Sequence, residues 1–329
     1  LTAATGILGL LRKPYARALL ALIAIVLVGV VFNADGTFFK WGTHRDMLRQ
    51  ASVFGILACG MTVVIISAGI DLAVGSVLAL VAVMFSIFSI HWGWPPLLAI
   101  PCSLAVAAAC GAASGGVIAR FRVQPFIATL AMMVFARGLA KYVSGGKKVS
   151  TVMQDASGAF VSAELPPVFG HIDSRILGGN ISVVTIVFIV CLAISWLVLE
   201  RLRPGRYLFA IGGNEEAARL SGVPVARTKI LAYTLSGLFA GVAGICQAAQ
   251  EYQGDPEAGV GYELSAIAIV VIGGTNLMGG RGSVVLTLLG TLTIGYLEKI
   301  LSINAVGEAS RLMLTGIIII TAVLLQRQR

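Results

Sequence analysis

Apolar residues in this 329-residue chain come in long blocks, with polar residues gathered in the stretches between them. Ten blocks stand out, at roughly 16–32, 51–68, 74–92, 96–118, 124–142, 180–199, 229–249, 262–275, 284–303 and 311–325. Most approach the ~20 residues a helix needs to cross a bilayer. A membrane-spanning barrel would show alternating segments of about 10 residues instead. The pattern predicts an all-α, polytopic membrane protein, one transmembrane domain over 1–329 with about ten spanning helices. The fourth block carries Pro95, Pro96 and Pro101 near its start, where the first helical turn has no partner for an N–H. The eighth is short and runs into Gly273-Gly274, the pattern of a broken helix. Residues 18–32 could pass for a signal-peptide core. No small-x-small site follows before Asn33-Ala34-Asp35, and further spans come next, so they read as the first span.

Composition agrees. The chain is 57% hydrophobic and 12% charged, against about 25% charged in soluble domains. Its 39 glycines suit helices packed closely in lipid. The +9 net charge is spread beside the spans, with no basic cluster interleaved with aromatics, so nucleic acid is not an expected partner. With the N-terminus inside, Arg12, Lys13, Arg17, Arg120, Arg122, Arg201, Arg203, Arg206, Arg219, Arg227, Lys229, Arg281, Arg327 and Arg329 fall on the cytoplasmic side. Fewer fall outside: Lys40, Arg45, Arg49, Lys141, Lys147, Lys148, Arg175, Lys299 and Arg311. This bias obeys the positive-inside rule and puts both termini in the cytoplasm. Residues 200–229 become an inner loop. Residues 143–179 become the largest external loop, whose Pro166-Pro167 and small polar residues suit resting on an external partner.

Candidate chemistry is sparse. Cys59, Cys102, Cys110, Cys191 and Cys246 form no C-x-x-C pair and read as buried small apolar residues. His44, His91 and His171 are scattered near segment ends. Gly145-Gly146-Lys147-Lys148 is not a phosphate-binding loop, and no H-E-x-x-H or G-x-S-x-G is present. Any energy for work must come from a partner or an ion gradient. Two segments align at a fixed offset of 207: Val63-Val64-Ile65 and Gly75-Ser76-Val77 against Val270-Val271-Ile272 and Gly282-Ser283-Val284. An internal repeat is the expectation, of a kind common in transporters. The span count places both copies on one side of the membrane. An inverted repeat would need one segment not to cross, which the short eighth allows.

Asp71 lies between two apolar runs. A carboxylate at bilayer depth costs at least about 2.5–3.5 kcal/mol, which marks a functional position. The bland alternative is a cap for a helix starting at Leu72, accepting from the Val74 or Gly75 N–H, with Gly69 making the turn before it. Gln124-Pro125 opens the fifth block as either an interfacial entry or a substrate contact. Arg137 sits inside that block and needs a partner, with Glu263 and Asp71 both conceivable. Glu251, Tyr252, Asp255, Glu257, Tyr262 and Glu263 make an acidic, tyrosine-bearing outer stretch. It suits contact with a hydroxyl-rich solute or a binding protein, and is equally the ordinary look of an external loop.

Several motifs together resemble the permeases of ribose-type sugar ABC transporters. They are Gly60-Met61-Thr62, Gly69 to Ser76, Val123 to Leu130, Gly205-Arg206-Tyr207, Gly261-Tyr262-Glu263-Leu264 and Val271 to Thr275, in the family's order over about 45–325. Glu216-Ala217-Ala218, followed after three residues by Gly222, is similar to the cytoplasmic coupling loop of ABC importers. The resemblance implies that Gly213, Asn214, Glu215, Glu216, Ala217, Ala218, Arg219 and Gly222 dock into a separate ATPase. It implies a dimer with a second permease copy or paralogue, a periplasmic sugar-binding protein, and a place in the bacterial inner membrane. No cofactor is implied for this chain; ATP and Mg belong to the ATPase. Asp71, Ser76, Gln124, Arg137, Glu263, Thr275 and Asn276 are the candidates for the path of a ribose-like pentose or a hexose. Ser265 departs from the Asp that members often carry there, which bears on specificity. Permeases for a branched-chain amino acid or a nucleoside share the architecture, and an ion-driven secondary transporter is the competing class.

Overall fold

The computed structural model describes residues 13–154, 160–307, 309–311, 313–314, 316–317 and 320. The tenth apolar block lies largely outside them, as do Arg12, Arg327 and Arg329. Among the described residues, eight helices are long and apolar enough to cross a membrane. They are α1 (Pro14–Val31), α2 (Trp41–Ile66), α3 (Val74–Ser86, extended by a wider turn over Ile87–His91), α4 (Pro96–Phe121), α5 (Pro125–Ser144), α7 (Val183–Trp196, extended likewise over Leu197–Arg201), α10 (Val225–Glu251) and α12 (Val284–Ile303). The shorter α11 (Tyr262–Gly273) follows α10. The first nine apolar blocks thus each become a helix.

Two ends of the bundle differ. The near end carries α8 (Arg203–Gly213) and α9 (Glu215–Leu220). The far end carries α6 (Pro167–Asp173) and two short antiparallel pairs, β1 (Val152–Gln154) with β2 (Phe160–Ser162), and β3 (Arg175–Ile176) with β4 (Ile181–Ser182). The far stretch packs on the bundle itself. Phe169 is fully buried against Phe85, and Asp173 pairs with Arg49 of α2 and accepts from Tyr252 Oη. Among the described residues, its short strands are the non-helical addition to the all-α reading.

α2, α3 and α10 form the centre, and α3 is buried on nearly every side. α1, α4, α5 and α7 form the outer shell, turning Leu27, Leu97, Phe135 and Ile189 outward. In lipid such side chains need no cover, and association rests on close packing. α10 meets α4 through a seam of small residues: Gly237 lies against the Ala107 carbonyl and Gly111, where a methyl has no room. Trp92 and Trp94 cluster with Phe88 at the far end of α3, where interfacial aromatics belong.

Candidate coupling surface and mid-membrane junction

At the near end, α8 is amphipathic and buries Gly205, Leu208 and Ile211. Its end, Gly212, packs under the Ile66 carbonyl of α2 and the Gly280 N–H, which themselves hydrogen bond at 2.9 Å. The two copies of the offset-207 pattern therefore meet here. Each is a helix, a turn and a second helix, and the first helices of both end at this same side.

Asn214 breaks α8 and caps α9, its Oδ1 accepting from the Ala217 N–H at 3.0 Å. Glu215 and Glu216 occupy the first turn of α9, where the helix dipole favours acids. Arg219 donates to both, at 3.0 and 3.1 Å, and Lys229 of α10 pairs with Glu215 at 2.6 Å. Ala218 is buried against Ile211 and Val225. Gly213, Asn214, Glu216, Ala217, Arg219, Leu220, Ser221 and Gly222 face out as one patch, with Leu220 81% exposed. Gly222 turns the chain at φ +82°. A small apolar anchor thus holds a short charged helix proud of the bundle, directly ahead of α10.

The second feature lies at mid-height. After Ile66 the chain turns back into the bundle. Asp71 is 3% exposed; its Oδ1 accepts from the Ala73 N–H at 3.0 Å and its Oδ2 from Ser236 Oγ at 2.7 Å. Ser236 lies eleven residues into α10, about 17 Å from its near end at 1.5 Å per residue. The capping expectation needs three corrections. The accepted N–H is that of Ala73, the helix begins at Val74, and the left-handed residue is Ala68 at φ +60°. Gly69 serves close approach instead, lying against the Tyr233 hydroxyl where a side chain has no room.

From the far side a second segment comes to meet it. Beyond α10, Gly254 exchanges two backbone hydrogen bonds of 2.8 Å with Val149, and the chain then descends along α3. Gly259 and Gly75 touch backbone to backbone, and Glu263 Oε2 lies over Gly75. So α3 and the twelve-residue α11, about 18 Å long, both begin inside the bundle. Arg137 does not pair with Glu263 or Asp71 by hydrogen bond. Its Nη1 donates to the carbonyls of Pro256 (2.6 Å) and Ala258 (2.7 Å). The acids above are matched at the far end: Asp255 with Lys148 at 3.0 Å and Glu257 with Lys141 at 2.5 Å.

The candidate path residues therefore divide. Asp71, Ser76, Glu263 and Arg137 gather around this junction, with Ser76 buried in the first turn of α3. Thr275 and Asn276 lie in the near-side turn, where the Asn276 side chain accepts from Met278 N–H and donates to the Gly279 carbonyl. Gln124 lies at the near end, lining a cavity of about 410 Å³ with Arg122, Glu215, Arg219 and Lys229. Reading the sequence missed a set of polar groups toward the far end of α10 and α2: the half-buried Gln247 and Gln250 and the exposed Gln50. The i, i+3 spacing of Gln247 and Gln250 in an otherwise small and apolar run was the available signal. Among the described residues no cluster of His, Cys, Asp and Glu is arranged to hold a metal.

A many-spanning bundle with broken helices meeting at mid-depth and a charged helix offered at one end is a membrane transport subunit. Residues 44–323 match the family described as branched-chain amino acid transport system permease component, and the chain belongs to this family of ABC transporter permeases. It is a transporter subunit and not an enzyme. It is 41% identical over 316 residues to the ribose import permease protein RbsC of Escherichia coli K12, covering 95% of this chain and 94% of that one. It is 36% identical to the fructose import permease protein FrcC of Rhizobium meliloti (94% and 84%) and 32% identical to the xylose transport system permease protein XylH of Escherichia coli K12 (92% and 89%). No solved structure matches. As a permease of this binding-protein-dependent class, the chain works with an ATPase subunit and a binding protein.

Proposed function

We propose that this chain carries a monosaccharide, a ribose-like pentose or a hexose, across a bacterial inner membrane. The observation that carries this is the 41% identity, along 95% of the chain, to a ribose import permease, with fructose and xylose permeases also among the relatives. These favour a sugar over the branched-chain amino acid in the family's description. In this reading the near end faces the cytoplasm, both termini included. The patch from Gly213 to Gly222 docks into the ATPase, where ATP and Mg bind, and a second permease copy or paralogue completes the path. The binding protein meets the far end.

The physical route of coupling is short. α9 is anchored by Ala218 against Val225, the first residue of α10. α10 carries Ser236, which holds Asp71, and then leads into the segment that packs on Gly75. A push on α9 therefore reaches both sides of the mid-membrane junction along one rigid helix. Asp71 is a positioning group in this account, since both its oxygens are engaged by the protein. The test is purification of the protein from its native membrane with and without Glu216→Lys. The ATPase subunit should accompany the wild-type chain and be lost, with uptake, from the variant. A variant that keeps its ATPase and its uptake would contradict the docking role.

A further inference from the structure

A cavity of about 490 Å³ opens between α2, α10, α11 and α12, within the ~300–1,000 Å³ range of small-molecule sites. Each helix gives it one face. From α2 come Gln50 and Phe54, at i, i+4; from α10 come Gln247 and Gln250, at i, i+3; from α11 come Tyr262 and Ser265, at i, i+3. From α12 comes Thr291, with Glu298 two turns beyond it. Uncharged amides and hydroxyls in the outer half of a membrane bundle are costly unless they face water or cargo. Here amides and hydroxyls reach the space from three helices, Gln50 of α2, Gln247 and Gln250 of α10, and Tyr262 and Ser265 of α11, while Thr291 of α12 donates to the Thr287 carbonyl of its own helix. The rings of Phe54 and Tyr262 stand 4.5 Å apart at its side. Its inner end is the first turn of α11, the element whose Glu263 lies over Gly75.

Resting on the monosaccharide reading above, we infer that this cavity is where the permease reads its cargo. Gln50, Gln247, Gln250 and Ser265 exchange hydrogen bonds with sugar hydroxyls, and the Phe54–Tyr262 pair receives a C–H face of the ring. The chemistry fits an uncharged polyol. An amide donates and accepts at once, as a hydroxyl does, and the charged side chains of the lining, Glu298 and Arg311, are of opposite sign. Gln250 Nε2 reaches the Arg49 carbonyl only at 3.4 Å, a partner that can be exchanged for a passing sugar, while Gln247 Nε2 is held by Glu251 Oε1 at 2.5 Å and offers its amide oxygen. A binding protein would then set affinity, while this chamber sets which delivered sugar passes.

The test uses the complete importer in proteoliposomes, this chain with its ATPase and binding protein, given D-ribose, D-fructose and D-xylose separately at saturating sugar. Gln250→Leu and Gln247→Leu should each lower uptake of the best sugar about five- to tenfold, the size of one lost buried hydrogen bond. They should change the ratio between sugars about threefold or more, and Gln250→Asn should recover part of the loss. Should the leucine variants not reach the membrane, Ser265→Ala and Gln250→Asn carry the test through the same ratio. Unchanged uptake, or an equal fall for every sugar together with a lowered Tm, would overturn the inference while leaving the importer reading intact. A wild-type importer that moves no monosaccharide but moves a zwitterionic amino acid would overturn both.

Discussion

Two turns bring the chain into the middle of this bundle, and they solve opposite problems. Residues 67–73 come from the near end and 252–261 from the far end, and each finishes by starting a helix at mid-depth, at Val74 and Tyr262. Neither can rely on water for its backbone polar groups. The near turn is short and leads straight into a helix N-terminus, which offers unpaired N–H groups. An acceptor is needed within the turn too, and Asp71 supplies it to the N–H of Ala73, the residue just before α3. The far segment descends through a run of turns that leaves the Pro256 and Ala258 carbonyls for a donor. A donor answers that need, and Arg137 supplies it from another helix. Charged residues at bilayer depth here are matched to the kind of backbone group left over.

The largest effect should come from removing the donor. Arg137→Met strands the Pro256 and Ala258 carbonyls, at about 1–3 kcal/mol each. Uptake should fall more than about tenfold and Tm by several degrees. Arg137→Lys should recover part, because an ammonium keeps donors but not the fork. A methionine variant with normal uptake would break the comparison. A smaller effect should follow at the near turn. Asp71→Ala and Ser236→Ala should each destabilise by about 1–3 kcal/mol, and the double variant should cost less than their sum. Asp71→Asn should stay near wild type in uptake, since the amide still accepts from Ala73 and can donate to Ser236. Additive losses in thermal melts would show that the two residues act separately. The smallest effect belongs to the rim. Lys141→Ala removes an exposed pair with Glu257 and should change stability by less than about 1 kcal/mol.

The same comparison explains what the sequence made legible. The helices were readable because apolar block length sets them, and Gln124-Pro125 opens α5 as the pattern requires. The boundary of α2 was ten residues short, because its charged start, Arg45, Asp46 and Arg49, looks like a loop. The fold pairs those residues with Gly179, Arg175 and Asp173 across the far end. Asp71 could be flagged because its acceptor role is local. Arg137 could be flagged but not partnered, because backbone carbonyls carry no sequence signature. The descending segment was unreadable as such: Gly254-Asp255-Pro256 looks like any outer turn, and only Gly75 and Arg137, far away in sequence, make it re-enter. The α8–α9 elbow was readable by family likeness, while the anchoring of Ala218 between Ile211 and Val225 emerged only in three dimensions.

The central claim is that this chain conducts a sugar only when an ATPase drives it through α9. The most direct measurement is D-ribose uptake into proteoliposomes holding the purified chain, with its binding protein outside and its ATPase added or left out. Uptake that requires both the ATPase and ATP, and that ignores imposed proton or sodium gradients, is the result this account predicts. Uptake by the chain alone, driven by such a gradient, would contradict it.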